Sequence, residues 1–422
     1  MSGLPSPVLD ALKFEKANWA KGSVLDDPFY KCPADFAQAS PGTLLKVEKD
    51  VDTGPYLIPA GTALSRILYQ SEKLDGSLVP VSGFILWPYT ARSQPDGYPV
   101  VAWAHGTSGS DADTAPSNHK NLWQHFLAPY QLALQGYVVV ATDYAGLGVE
   151  KHASGEPITH EYLASPSQGN DVIHSVKAAQ AAFPELSKRF VVIGHSQGGG
   201  AAWAVAQREA TSPVPGYLGA IAISPYTSFL NEEGKFSPLM GAAICRGIAS
   251  SFPEFDPKEI LTQEGEGRVA MMFQTHAGVA AAIALLSGAD LLKPDWKQNR
   301  HLQKHGKLTS NGGKPIKGPL LVIHGESDRM NSPAAVKIAV EKTASLFPSS
   351  QLEVIWLPHV THAPALGASQ RLWMDWIADR FAGVEVKPGC QTSQLASARP
   401  AMAYHKEQNW YLEAASQFYH TP

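Results

Sequence analysis

Residues 191–200 read VVIGHSQGGG, a run of branched apolar residues that stops at a glycine and places one serine between it and three more. Gly194-His195-Ser196-Gln197-Gly198 fits G-x-S-x-G, with strand-forming residues before it and helix-forming residues after it. The chemistry needs those types. A serine displayed on a sharp strand-to-helix turn sits in strained backbone, so residues two before and two after must be nearly without side chain. It then stands at a helix N-terminus, where developing negative charge is favoured. A serine hydroxyl is a poor nucleophile until a base takes its proton, and the base needs an acid to orient it.

In this strand-turn-helix context the chain order is nucleophile, acid, base. The acid is expected past a late strand. GPLLVIHG (318–325) is followed by Glu326, Ser327 and Asp328, and Asp328 is assigned, with Glu326 in reserve. The base is expected past the next strand and before the last helix. LPHVTHAPAL (357–366) offers His359 and His362, and His362 is preferred because it leads into that helix. An oxyanion needs preorganised N–H donors. Gln197, next after the serine, supplies one. The loop His105-Gly106-Thr107-Ser108-Gly109 supplies the other, assigned to Thr107 with its hydroxyl as an aid; Gly106 and Ser108 are alternatives. His105, His324, Asp143 and Tyr144, all at strand ends, are read as structural.

The elements that must position these residues alternate. Residues 98–106, 137–146, 189–196 and 217–225 read as buried strands; 121–136, 169–183 and 197–210 read as helices. The strands are apolar throughout rather than on one face, which predicts an α/β fold with a mostly parallel sheet covered by helices on both faces. TLLKVEK, ALSRILYQ and VPVSGFILWP, between 43 and 88, predict antiparallel strands at the sheet edge. Residues 1–40, punctuated by Pro and Asp, read as an irregular arm. Between 226 and 317 helical segments run on without a strand, so an inserted helical cap over the carboxyl ends of the strands is expected there. The division is 1–225 for the arm and first part of the core, 226–317 for the cap, 318–389 for the second part of the core. Residues 390–422 form a polar tail whose Tyr404, Trp410, Tyr411, Phe418 and Tyr419 argue that it packs against something.

The bulk composition excludes several classes. The chain has 422 residues, 44% hydrophobic and 17% charged, with a formal net charge of −4 and no long basic run. That is globular composition with no electrostatic footprint for nucleic acid. Three widely spaced cysteines, Cys32, Cys245 and Cys390, match no zinc pattern and leave at least one thiol free. No apolar run reaches membrane-spanning length; 278–292 is too short and contains Asp290. The polar N-terminus has no signal-like apolar segment, so a cytoplasmic location is expected, or secretion if a leader has been removed.

The motifs together resemble a known family. DPFY (27–30), PGTLL (41–45), AHGTSG (104–109), DYAGLG (143–148), GHSQGG (194–199), HGESD (324–328) and TH (361–362) follow the order of the secretory lipase family, a fungal and bacterial branch of the α/β-hydrolases. The resemblance runs from about residue 25 to 385. It implies the α/β-hydrolase fold with a cap holding an acyl channel, residues 390–422 as a candidate flap over its entrance, and a serine carboxylester hydrolase without cofactor. Acylglycerols or smaller esters are the implied substrates, with transient contact to a lipid surface. The expected machinery is Ser196, Asp328 and His362 with Thr107 and Gln197 as oxyanion donors. An esterase, deacetylase or acyltransferase acting on a small metabolite is the alternative.

Overall fold

The computed structural model describes residues 4–34, 38–123, 128–233 and 237–404. One sheet of ten strands organises it. In chain order the strands are β1 (Leu44–Glu48), β2 (Thr62–Glu72), β3 (Leu78–Pro88), β4 (Tyr98–Ala104), β5 (Val138–Thr142), β6 (Leu186–His195), β7 (Tyr217–Ile223), β8 (Leu320–Gly325), β9 (Gln351–Leu357) and β10 (Gly389–Gln394). Their spatial order is β1-β2-β3-β5-β4-β6-β7-β8-β9-β10. β1, β2, β3 and β5 pair antiparallel, and every pairing from β5 onward is parallel. The edge read as antiparallel and the parallel centre are both present.

Strand geometry explains why the central strands are apolar at every position. Alternate side chains point to opposite faces. Val100, Ala102, Ala104, Val138, Val140, Phe190 and Val192 enter one buried cluster; Val101, Trp103, Val139, Ala141, Val191 and Ile193 enter the other. Each fully buried Val or Ile contributes about 1.5–3 kcal/mol. The first face is covered by α3 (Ser165–Ala182), α4 (Gln197–Glu209) and α10 (Pro333–Leu346), the second by α2 (Pro129–Leu134), α11 (Pro364–Ala368) and α12 (Gln370–Ala382).

Three local readings change. The arm contains a helix, α1 (Ser6–Ala17), whose Val8, Ala11 and Leu12 lie at helical spacing and are buried. Pro5 and Pro7 mask it in the sequence, although proline is tolerated in a first helical turn. Of the helix expected over 121–136 the described part is α2; residues 124–127 lie outside the described residues. Leu122 and Trp123 instead have positive φ (54° and 48°), and Pro129 can open a helix but not continue one. Finally, 390–394, grouped with the tail, belong to the edge strand β10. Its side chains are polar and largely exposed, so no apolar pattern marks it. Tyr404 is described; the other tail aromatics, Trp410, Tyr411, Phe418 and Tyr419, lie outside the described residues.

Between β7 and β8 the described residues form α5 (Ser237–Ala243), α6 (Cys245–Ser251), α7 (Gln263–Gln274), α8 (Val279–Leu286) and α9 (Arg300–Thr309). Together with α1 they share a third apolar cluster. α1 ties this layer down by more than packing. The Glu15 carboxylate accepts hydrogen bonds from the N–H groups of Gly278, Ala280 and Ala281 (2.9, 2.9 and 3.0 Å), capping α8 from outside its own chain segment. The chain leading into α8 also grips the loop after β4, with Val279 N–H donating to the Ser108 carbonyl (3.0 Å).

Candidate active site

The turn between β6 and α4 is as sharp as the glycines imply. Ser196 has φ 59° and ψ −119°. A Cβ on Gly198 would lie 1.9 Å from the Ala104 carbonyl oxygen, and one on Gly194 would lie 2.1 Å from that of Gly198. Neither position has room for a side chain. Ser196 is half-buried, and α4 starts at the next residue.

Asp328, three residues past β8, and His362, five residues past β9, are brought together. His362 Nδ1–H donates to Asp328 Oδ2 at 2.7 Å. The imidazole therefore keeps its lone pair on Nε2. Asp328 Oδ1 is occupied by the N–H groups of Met330 (2.8 Å) and Asn331 (3.1 Å). Burial pushes the Asp328 carboxyl up, but the charge and hydrogen bond of His362 outweigh it, with smaller help from His324 and the Met330 N–H, and bring it down to about 2. The His362 carbonyl accepts from His195 Nε2–H (3.3 Å) and from Ser224 Oγ (3.1 Å). The backbone of His362 is thus fastened to the residue immediately before Ser196. Among the described residues no hydrogen bond joins Ser196 Oγ to the imidazole. Such contacts commonly tighten only with substrate in place.

The reserve residues lie elsewhere. Glu326 is exposed and receives Gln394 Nε2 (3.0 Å); His359 is exposed on a left-handed turn. His324 is fully buried, with Nε2 3.8 Å from Asp328 Oδ2, and burial holds it down to about 4, as a neutral ring.

The loop after β4 is fixed from behind. His105 Nδ1–H (2.7 Å) and Trp123 Nε1–H (3.1 Å) both donate to the Gly106 carbonyl. In a trans peptide the next N–H points the opposite way, so these two donors set the direction of Thr107 N–H. Burial holds His105 down to about 3, so it stays neutral. Tyr144 (φ 69°) stacks on His105 at 4.2 Å and donates its hydroxyl to the His105 carbonyl (2.9 Å). Asp143 accepts from Ser82 Oγ (2.6 Å), Ser117 Oγ (2.5 Å) and Ser117 N–H (2.8 Å). Both residues act as framework. The DPFY motif belongs to the same framework. Asp27 pairs with Arg66 (2.7 Å), Phe29 and Tyr30 cover the guanidinium, and Tyr30 OH donates to Ser117 Oγ (2.8 Å).

Residues 160–162 carry contacts that sequence reading did not anticipate. Tyr162 OH lies 3.0 Å from Thr107 Oγ1, and His160 Nε2 lies 3.2 Å from the Gln197 side-chain nitrogen. One short segment touches both residues assigned to the oxyanion. The only signal was two ring-bearing residues spaced by two in THEYL, which has no meaning until the fold brings three loops together.

Glu232, beyond β7, is 1% exposed. One oxygen accepts Ser332 N–H (2.9 Å) and the other has no partner among the described residues. Burial pushes its carboxyl up to about 7; the Ser332 N–H opposes this and the Asp328 charge adds to it. A folded value above the ordinary 4.5 means that the native state binds the extra proton. Unfolding free energy therefore falls as pH rises from about 4.5 through about 7. Glu232→Gln removes that loss. Its stability relative to wild type, from urea unfolding, is expected to improve by up to about 3 kcal/mol between pH 5 and pH 8. An equal difference at both pH values contradicts the assignment.

Among the described residues no group of His, Cys, Asp and Glu is arranged to hold a metal ion. No helix there is long and apolar enough to cross a membrane. Cys32, Cys245 and Cys390 are all free thiols.

A serine on a tight strand-to-helix turn at the carboxyl edge of a largely parallel sheet is the arrangement of the α/β-hydrolase fold. The family model described as "Alpha/beta hydrolase family" matches residues 101–373, and the chain belongs to that family. Lipase 5 of Candida albicans is 24% identical over 413 residues, covering 88% of this chain and 84% of the relative. Among solved structures, lipase A of Candida antarctica superimposes with a TM-score of 0.74 at 16% identity, covering 90% of this chain and 91% of the other. The rice cell wall degrading esterase LipA from Xanthomonas oryzae gives 0.61 at 17% identity, covering 82% and 99%.

Proposed function

We propose that the chain is a serine carboxylester hydrolase of the lipase or esterase type, working through Ser196, Asp328 and His362. The observation that carries this is the 2.7 Å His362–Asp328 hydrogen bond beside the strained Ser196 turn, with the His362 backbone fastened to His195. Relatives named lipase and esterase support the same class.

In the reaction Ser196 Oγ attacks the ester carbonyl carbon while His362 Nε2 takes the hydroxyl proton. The N–H groups of Thr107 and Gln197 receive the carbonyl oxygen as it becomes negative. Collapse expels the alcohol, which takes the proton from His362, and leaves an acyl-serine. Water then attacks the acyl carbon with His362 as base, releasing the acid and restoring Ser196. Asp328 stays ionised, holds the tautomer and stabilises the imidazolium. No cofactor enters the scheme.

Residues 226–317 form the cap in this reading, between core parts 1–225 and 318–389, and its helices enclose the acyl group. The substrate is a lipid or smaller acyl ester. Hydrolysis of p-nitrophenyl esters from acetate to palmitate tests this. Turnover with a maximum at medium or long acyl chains is the expected result. A maximum at acetate assigns a small-ester esterase instead, and no turnover of any member contradicts ester hydrolysis.

A further inference from the structure

We propose that Ser224 and Asn331 are positioning residues, a clamp that holds the acid loop, the base loop and the nucleophile turn at one fixed spacing. The inference rests on the serine hydrolase reading above and deepens it, because it names what keeps a base carried on a loop in register with Ser196.

The observation is a closed ring of hydrogen bonds through Asp328 and His362. His362 Nδ1–H donates to Asp328 Oδ2 (2.7 Å), and Asn331 N–H donates to Asp328 Oδ1 (3.1 Å). The Asn331 side chain reaches on to the Ser224 carbonyl (2.7 Å). Ser224 Oγ reaches the His362 carbonyl (3.1 Å), and there the ring closes. Chemistry fixes the directions. A carbonyl only accepts, so the NH2 end of the amide faces Ser224, and the Ser224 hydroxyl donates. Both side chains are buried, so water offers no replacement for either bond.

Ser224 also connects the ring to the nucleophile. It follows Ile223, whose carbonyl accepts Ser196 N–H (3.0 Å), and its own N–H donates to the Ile323 carbonyl of β8 (2.8 Å). The single residue after β7 thus touches the strand that leads to the acid, the acid loop and the base loop, and adjoins the bond that holds the nucleophile turn. Its backbone is strained in doing so. Ser224 has φ 43°, in the left-handed region that residues with a side chain rarely adopt and glycine enters freely. Serine adds a hydroxyl to what glycine would do there. Among the described residues the one hydrogen bond that hydroxyl makes is to the His362 carbonyl. Strain kept for a single bond to the loop of the base is what a positioning role accounts for. The need is real, since a displacement of about 1 Å in a catalytic group can lower a rate by about 100-fold. Neither Ser224 nor Asn331 touches the reacting atoms in this account; both act through His362.

The test uses the full chain, a p-nitrophenyl ester and a fluorophosphonate. Ser224→Gly removes the hydroxyl and relieves the backbone, so function and stability separate. It is expected to lower kcat about 30-fold with KM within about twofold of wild type, while the chain melts like wild type. Asn331→Ala opens the same ring at its other side and is expected to cost about as much. The double variant is expected to lie within about threefold of the slower single one, because a ring is opened only once. In a His362→Ala background Ser224→Gly is expected to leave the residual slow hydrolysis unchanged, since no base remains to be placed. Ser224→Gly with kcat within about twofold of wild type contradicts the proposal. So do losses that multiply in the double variant, or an equal loss in the His362→Ala background, which marks a general structural role. Should Asn331→Ala not fold, Ser224→Gly in the wild-type and His362→Ala backgrounds decides; should Ser224→Gly not fold, Asn331→Ala in the same two backgrounds does. If Ser196 of the wild-type chain does not react with the fluorophosphonate, the hydrolase reading itself fails, a separate result.

Discussion

Ser196→Ala is expected to lower kcat about 10⁶-fold while the protein folds as before. The size follows from the role proposed for the serine. Without Oγ no acyl-enzyme forms, and what remains is substrate binding and the oxyanion donors acting on a bound water. Folding should survive because Ser196 Oγ holds up nothing else among the described residues. The backbone bonds that define the turn, Ser196 N–H to the Ile223 carbonyl (3.0 Å) and Tyr226 N–H to the Ser196 carbonyl (3.0 Å), are independent of the side chain. The strain at φ 59° is carried by the glycines on either side and is felt equally by alanine. The check is kcat on the best p-nitrophenyl ester together with a melting curve. A variant that melts like wild type and retains a hundredth of its kcat contradicts the assignment.

Asp328→Asn is expected to cost about 10⁴-fold in kcat, again without unfolding. An asparagine oxygen can keep the hydrogen bonds from Met330 and Asn331 N–H groups that Asp328 Oδ1 now accepts. Its NH2 group then faces His362 Nδ1. The imidazole must turn that nitrogen into an acceptor, and its proton moves to Nε2, the atom that in the proposed triad accepts from Ser196. The base is in place with the wrong tautomer. Asp328 is also ionised down to about pH 2, so no protonation of this carboxyl intervenes between pH 4 and 9, and the loss should persist across that range. A loss below tenfold assigns the acid to another residue.

What the chain reveals before folding differs from region to region for physical reasons. The central strands are legible because both of their faces are buried, so every position is apolar. The turn at Ser196 is legible because Gly194 and Gly198 stand where a Cβ would overlap backbone. Asp328 and His362 are candidates because each follows a strand of the parallel sheet, where that topology gathers ligand-facing loops. β10 has no pattern because its side chains face solvent, and α1 is hidden behind two prolines that a helix start tolerates. Trp123 and residues 160–162 show the deeper limit. Their roles rest on single contacts across 17, 37 and 55 residues of chain, and a contact of that kind leaves no local spacing to read.

The most direct measurement is to treat the protein with a fluorophosphonate, follow ester hydrolysis during the reaction, and locate the adduct by mass spectrometry. The account predicts one adduct per chain, on Ser196, with activity lost in proportion to labelling and no adduct on the Ser196→Ala variant. Full ester hydrolysis with Ser196 unlabelled, or inactivation by an adduct on another residue, would contradict it.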